Sequence, residues 1–296
     1  MSSAVLYIMT QKGFEVLRRL TSTCPAVIER VVIGKDSNIE NDFSEGIAEH
    51  CRSAGIAFDF RGAEPALRGD EYVFAISWRW LIKHPVERLI VFHDSPLPRY
   101  RGFAPLVNML VNGEKEIGVT ALFGASEYDR GQIIGQQTSS VTYPLKIADA
   151  IELNNRNYCD LAESIAARIA AGEEIVGVPQ KEANATYSIW RDDDDYAIDW
   201  SKSAEEIQRL VDAVGSPYLG ARCRTSKGQE LVIGNVEVVE DVHCEIRDVG
   251  KVIFMREGRP TVICGSGLLE LTDVWLVTDS GREPFLPMKS FRVRFC

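Results

Sequence analysis

The chain predicts an α/β domain built on a mostly parallel, doubly wound sheet, followed by a small β-barrel. Three observations lead there. Strand and helix patterns alternate through roughly the first 135 residues, the signature of parallel strands joined by crossover helices. From Ala221 onward the pattern changes to short strands separated by glycine turns, with no helices between them. A length of 296 residues with 45% hydrophobic side chains gives enough apolar material for two cores.

Taken in order, strands are expected at residues 5–9, 28–33, 57–60, 71–76 and 89–92, with helices over 13–20 and 43–54. A longer helix carries Ile147, Ile151, Tyr158, Leu161, Ile165 and Ile169 at spacings of three, four and seven, which marks a core-facing stripe closed by Gly172. Residues 179–196 read as a polar connector ending in Arg191 and four aspartates, 192–195. Four adjacent carboxylates could suggest a metal, but consecutive charges splay apart, and a solvated linker is the better reading. Ser203 and Glu206 then fit a capping box that opens a helix over 204–214, stopped by Gly215 and Pro217. Strands follow at 231–233, 236–239, 251–254, 260–264 and 268–277.

Composition removes several function classes. The first strand is followed by Thr10-Gln11-Lys12-Gly13, one glycine and no G-x-G-x-x-G pattern, so a nicotinamide fingerprint is absent. Seven scattered cysteines without a C-x-x-C pair, and four histidines without ligand spacing, predict no disulfide framework and no metal. With 33 basic against 43 acidic residues the net charge is −10, which disfavours a nucleic-acid surface, and the stretch 200–296 is nearly balanced at 13 basic and 14 acidic. No apolar run reaches the length of a membrane span, and Met1-Ser2-Ser3 leads straight into a strand, so a cytoplasmic protein with no membrane partner is expected.

The chemistry-bearing residues concentrate between 89 and 134. The strand at 89–92 delivers His93 into the loop Asp94-Ser95-Pro96-Leu97-Pro98-Arg99-Tyr100-Arg101-Gly102, and Tyr128-Asp129-Arg130-Gly131 supplies a carboxylate in a second turn. In an open α/β sheet the ligand crevice lies beyond the strand carboxyl ends, where His93 and the run Ser77-Trp78-Arg79-Trp80 would both emerge. Arg99 and Arg101 could hold a pyrophosphate against the acidic background. A pair of solvated loop arginines is the equal alternative.

The stretch Phe92-His93-Asp94-Ser95-Pro96-Leu97-Pro98-Arg99-Tyr100-Arg101-Gly102, with Asn112-Gly113-Glu114 and then Asp129-Arg130-Gly131, resembles the formyltransferase family that uses 10-formyltetrahydrofolate. The family includes methionyl-tRNA formyltransferase and the sugar-nucleotide N-formyltransferases. The likeness continues through Ile198-Asp199-Trp200-Ser201 and Ser216-Pro217-Tyr218-Leu219-Gly220, which look like the join to the family's C-terminal barrel. It implies a Rossmann-like catalytic domain over 1–180, a linker over 181–203 and an OB-like barrel over 204–296. It also implies His93 and Asp129 as catalytic groups, with imidazolium stabilising a tetrahedral oxyanion and the carboxylate relaying the amine's proton. The family's third catalytic residue, an asparagine two positions before the histidine, is replaced by Val91. Val91 and His93 share a strand face, so an amide is missing from the site, and Asn108 is the candidate replacement. Ser77, Trp78, Arg79 and Trp80 are expected at the pterin, and Arg99, Tyr100 and Arg101 at the acceptor.

The expected function is transfer of a formyl group from 10-formyltetrahydrofolate, without a metal, to the amino group of a nucleotide-linked deoxyamino sugar. The acidic balance, the near-neutral barrel and Val91 favour it. A methionyl-tRNA formyltransferase and a folate-binding protein of the same fold that has lost catalysis are the alternatives. A homodimer is left open.

Overall fold

The computed structural model describes residues 3–36 and 41–296, so Met1 and Ser2 of the leader reading lie outside the described residues. The chain forms two compact units.

The first unit comprises residues 1–105, 116–140 and 152–188. Its sheet contains β1 (Ala4–Ile8), β2 (Ile28–Ile33), β3 (Phe58–Phe60), β4 (Tyr72–Ile76), β5 (Leu89–His93), β7 (Glu116–Phe123) and β8 (Ile133–Ser140), in the order β3-β2-β1-β4-β5-β7-β8. β1 to β5 are mutually parallel, whereas β7 runs antiparallel to both β5 and β8. Every residue of β1 and β4 is buried, as continuous apolar runs in the middle of a parallel sheet should be. A short strand pair, β6 (Arg101–Gly102) with β9 (Tyr187–Ser188), lies outside this sheet.

The strand order reverses at β1, so the sheet winds in both directions as expected. Among the described residues the α-helices of this unit share one face. Helices α1 (Thr10–Thr23), α2 (Ser44–Ala54) and α4 (Ile147–Ala170) contribute Leu17, Ile47, Ile165 and their neighbours to one apolar cluster with Leu6, Ile8 and Phe74. The opposite face carries a smaller cluster of Val5, Tyr7, Val32 and Val73, covered by loop side chains Leu67, Trp78 and Ile82. The connections into β4 and β5 contain Pro65 and Pro85 and no helical apolar repeat; among the described residues they form no α-helix, only a 3₁₀ turn at Val86–Arg88.

The second unit comprises 106–115, 141–151 and 189–296. Helix α5 (Ala204–Val214) opens on the predicted capping box, with Ser203 accepting from the Glu206 N–H and Glu206 accepting from the Ser203 N–H. The strands are β10 (Ala221–Arg224), β11 (Glu230–Val239), β12 (Val252–Arg256), β13 (Arg259–Ile263), β14 (Leu268–Thr278) and β15 (Gly281–Pro284), antiparallel in the order β10-β11-β14-β13-β12 with β15 on β14. The chain end closes the barrel. Phe295 bridges to Thr225 beside β10, and Arg294 bridges to Lys251 beside β12. β11 is continuous where two strands at 231–233 and 236–239 are expected; a register shift at Asn235 absorbs the glycine between them.

These boundaries differ from the expected divisions at 180 and 203. Residues 181–188 belong to the first unit, because β9 and the side chains near it bond to the segment 98–103. Beyond them the aspartates cap one another's turn: Asp194 N–H donates to Asp192 Oδ1 and Asp192 N–H to Asp195 Oδ2.

Candidate active site

His93 is the last residue of β5, and its side chain is 8% exposed. The imidazole Nε2 lies 2.8 Å from the Tyr100 carbonyl oxygen. A carbonyl can only accept, so Nε2 carries a hydrogen. Nδ1 faces Asp129 Oδ1 at 3.4 Å, the approach of an ion pair once that nitrogen is protonated. Asp129 Oδ2 accepts from the Gly102 N–H at 2.8 Å, which leaves Oδ1 as the oxygen aimed at the ring.

The acidic turn arrives from an unexpected direction. Phe123 pairs with Ile90 and Thr120 with His93, so the connection from β7 to β8 begins level with the start of β5 and must reach back to His93. Two glycines permit this. A Cβ on Gly131 would sit 1.8 Å from the Phe123 carbonyl oxygen, so no larger residue fits where the turn returns to the sheet. Gly102, at φ +102°, has the Ser188 carbonyl 2.4 Å from where its Cβ would be, and this close pairing of β6 with β9 aims its N–H at Asp129.

The loop that follows His93 is fixed from within. Thr120 Oγ1 donates to the Ser95 carbonyl at 2.6 Å and accepts from the Leu97 N–H at 2.9 Å, while Ser95 Oγ donates to the Arg99 carbonyl at 2.7 Å. Ser95 and Thr120 are fully buried, so this network is shielded from water. Tyr100, at φ +59°, is buried; its contribution is the backbone oxygen that holds the imidazole.

The two loop arginines have different fates. Arg99 is exposed, with its guanidinium 5.3 Å from the Tyr100 ring centroid. Arg101 is 0% exposed. Its Nε and Nη2 donate to Gln180 Oε1 at 3.1 and 2.8 Å, Nη1 and Nη2 to the two Glu182 oxygens at 3.0 and 2.8 Å, and Nη1 to the Tyr187 hydroxyl at 3.3 Å. All five N–H groups are engaged within the fold, so the pairing of Arg99 with Arg101 as a pyrophosphate clamp is corrected: Arg101 holds the protein together. Glu182 also pairs with Arg130, and Arg101 and Arg130 together pull its carboxyl down to about 2.

Asp94 lies within electrostatic reach of the imidazole, but its bonds go elsewhere. It pairs with Lys12 and accepts from Asn154 Nδ2 at 3.1 Å. Burial disfavours its charge, but the Lys12 ammonium, His93 and the Tyr158 hydroxyl together outweigh burial and hold the carboxyl below its usual range.

Ser77, Trp78, Arg79 and Trp80 leave β4 directly beside His93, because Ile76 pairs with Phe92. Ser77 adopts φ +54° and its hydroxyl accepts from Thr10 at 3.2 Å. The Trp78 ring stands edge-on to Tyr7 at 5.0 Å and to Trp80 at 5.1 Å, and its Nε1–H is buried with no acceptor among the described residues. Arg79 pairs with Asp36. Asn108 lies on α3 (Pro105–Val111), in the second unit, where its Oδ1 accepts from Arg191 Nη1 at 2.7 Å. That contact turns the amide nitrogen away from Arg191.

The arrangement can hold and pass a proton. Nδ1 of His93 and Oδ1 of Asp129 are the exchanging atoms, while Nε2 is kept protonated by the Tyr100 carbonyl. Both ring nitrogens face protein acceptors, so a direct hydrogen bond to a developing oxyanion would require one of these contacts to open. Sequence reasoning missed Gln180 and Glu182, which sit within the polar connector, and Thr120. No local spacing marks them; their partners lie 16 to 81 residues away.

A family model described as formyl transferase matches residues 76–156, and one described as formyl transferase, C-terminal domain, matches 191–278. Between them they span more than half of the chain. The fold is shared with an N-formyltransferase from Helicobacter canadensis crystallised with folinic acid and dTDP-3-aminofucose, at 15% identity and a TM-score of 0.69 over 92% of this chain and 99% of that one. It is shared with HypX from Aquifex aeolicus, at 17% identity and a TM-score of 0.62 over 96% of this chain and 46% of HypX. It is shared too with methionyl-tRNA formyltransferase from Clostridium thermocellum, at 17% identity and a TM-score of 0.56 over 81% of this chain and 94% of that one. A mostly parallel sheet with a histidine and a carboxylate meeting beside one strand end, followed by an antiparallel barrel, defines a two-unit transferase. The chain belongs to the formyl transferase family and is a formyl-transferring enzyme.

Proposed function

We propose that the chain moves the formyl group of 10-formyltetrahydrofolate to the amino group of a nucleotide-linked deoxyamino sugar. The observation that carries this reading is the pair His93 Nδ1 and Asp129 Oδ1 at 3.4 Å, with each group's other polar atom held by backbone. The donor supplies an electrophilic formyl carbon on an aniline-type nitrogen. Asp129 takes the proton that the attacking amine loses, and His93 passes a proton on Nδ1 toward the departing nitrogen, its positive form offsetting the charge that develops on the carbonyl oxygen.

The residues beside His93 fit a pterin. Trp78 and Trp80 offer aromatic edges at the end of β4, and the orphaned Trp78 Nε1–H is a donor that a ring nitrogen or carbonyl would satisfy. The Helicobacter protein, similar over almost its whole length, was crystallised with folinic acid and a nucleotide-linked amino sugar. The net charge of −10 favours a small acceptor over a polynucleotide. Among formyl acceptors, Arg99 is the exposed cation of the loop and is assigned to the acceptor's phosphates.

The test is turnover with 10-formyltetrahydrofolate and a panel of dTDP-, UDP- and GDP-linked amino sugars, followed by product mass. A gain of one formyl group on one of them, abolished by His93→Ala with folate affinity retained, is expected. Turnover unchanged in His93→Ala, or formylation of charged initiator tRNA in preference to every sugar, would overturn the reading.

A further inference from the structure

Asp129 occupies a left-handed backbone conformation, φ +56°, that a non-glycine residue adopts only when its surroundings hold it there. One side chain bonds both sides of the turn. Gln180 Nε2 donates to the Asp129 carbonyl at 2.7 Å and to the Gly131 carbonyl at 2.8 Å, bracketing the turn. Gln180 Oε1 accepts from Arg101 Nε and Nη2. The amide orientation is dictated by its partners, since a guanidinium can only donate and two carbonyls can only accept. Arg101 in turn precedes Gly102, whose N–H fixes Asp129 Oδ2. The backbone and the carboxylate of Asp129 are therefore referred to one rigid object, the fully buried Arg101.

We infer that Gln180 is a positioning residue: it sets the Asp129 turn so that Oδ1 faces the His93 imidazole, and it touches neither substrate. The inference rests on the proposed roles of His93 and Asp129. Gln180 suits the task because it presents two donors to carbonyls and one acceptor to a guanidinium. Glutamate would keep the Arg101 contact and set a bare oxygen against two carbonyl oxygens. Leucine, of similar volume, would remove both ends.

The experiment compares Gln180→Glu, Gln180→Leu and Asp129→Asn with the unaltered enzyme by steady-state kinetics, kcat against pH and thermal unfolding. Displacement of a reacting group by about 1 Å costs on the order of a hundredfold in rate, so both Gln180 variants are expected to lose tenfold to a hundredfold in kcat. KM for donor and acceptor should stay within about threefold, since ground-state binding is untouched, and the limbs of the kcat–pH profile should move because the Asp129 carboxylate no longer meets the imidazole squarely. A purely structural role would lower Tm while leaving kcat per folded molecule and the pH profile unchanged, and that result overturns the inference. So does loss of the native circular dichroism spectrum in both variants, which would make Gln180 a folding determinant. Asp129→Asn separates the two levels: if it keeps full turnover, the catalytic reading fails and takes this inference with it; if it loses turnover while both Gln180 variants keep theirs, only the inference fails.

Discussion

Replacing Arg101 by methionine tests whether this guanidinium serves the fold or the substrate. Methionine keeps the length and most of the volume of the buried stem, so the change isolates the polar contacts. Removing one partner of a buried ion pair typically costs about 3–5 kcal/mol, but Glu182 is 56% exposed and regains water when released, which removes the largest part of that penalty. What remains is the loss of charge-assisted hydrogen bonds and of the donors to Gln180 Oε1, a group only half buried. At about 1.5–3 kcal/mol for bonds to charged groups, a loss of about 3 kcal/mol is expected. For a unit of this size that corresponds to a Tm lowered by roughly 6–12 °C. Arg99→Met is the matched control: the guanidinium is exposed, and contacts of exposed charges contribute little, so stability should change by less than about 1 kcal/mol. Thermal unfolding by calorimetry reads the first quantity and acceptor KM the second. If Arg101→Met melted within about 2 °C of the parent, less than 1 kcal/mol on the same scale, while raising acceptor KM, the guanidinium would be a substrate contact and the reasoning would be wrong.

Two further outcomes follow from the geometry. Gly131→Ala should destabilise by about 3 kcal/mol, because its Cβ meets strand backbone at 1.8 Å and backbone yields little; a Tm within 1 °C of the parent would refute this. Asp94 has its carboxyl lowered in the folded protein, so its contribution to stability is complete above the unfolded value of about 4 and is lost as pH falls through the lower folded value; Lys12→Met should show a shallower loss of stability between pH 5 and pH 3 in urea titrations, and parallel curves would sink the assignment.

Much of the scaffold was legible because it depends on local pattern. The apolar runs of β1 and β4, the stripe on α4 and the Ser203–Glu206 box are properties of neighbouring residues, and each appears in the structure where its pattern lies. Glycine punctuation misled once, at β11, where a register shift lets one strand run through a residue that reads as a break. Alternation alone does not say which face of the sheet a connecting helix covers.

The candidate site was legible in part. His93, at the end of an apolar strand, and Asp129, before a glycine turn, could be singled out along the chain, since each sits in a short motif. Arg99 and Arg101 could not be told apart: two arginines one residue apart have the same chemistry until burial and partners are known, and those partners lie some eighty residues on. The stretch that reads as a polar linker supplies Gln180 and Glu182, because a polar side chain in a loop carries no mark of whether it faces water or a buried guanidinium.

The sequence by itself determined the first five strands with their two early helices, the two-part architecture and the residue types available for acid–base chemistry, since these follow from periodicity and composition; the antiparallel pair β7 and β8 that completes the sheet was not read from it. Only the tertiary structure decided that the acidic turn reaches back from the far end of β5, that one arginine is sealed inside the fold, and which carboxylate oxygen meets the imidazole. Those outcomes depend on hydrogen bonds between segments distant along the chain, and the direction of such bonds is set by packing in three dimensions.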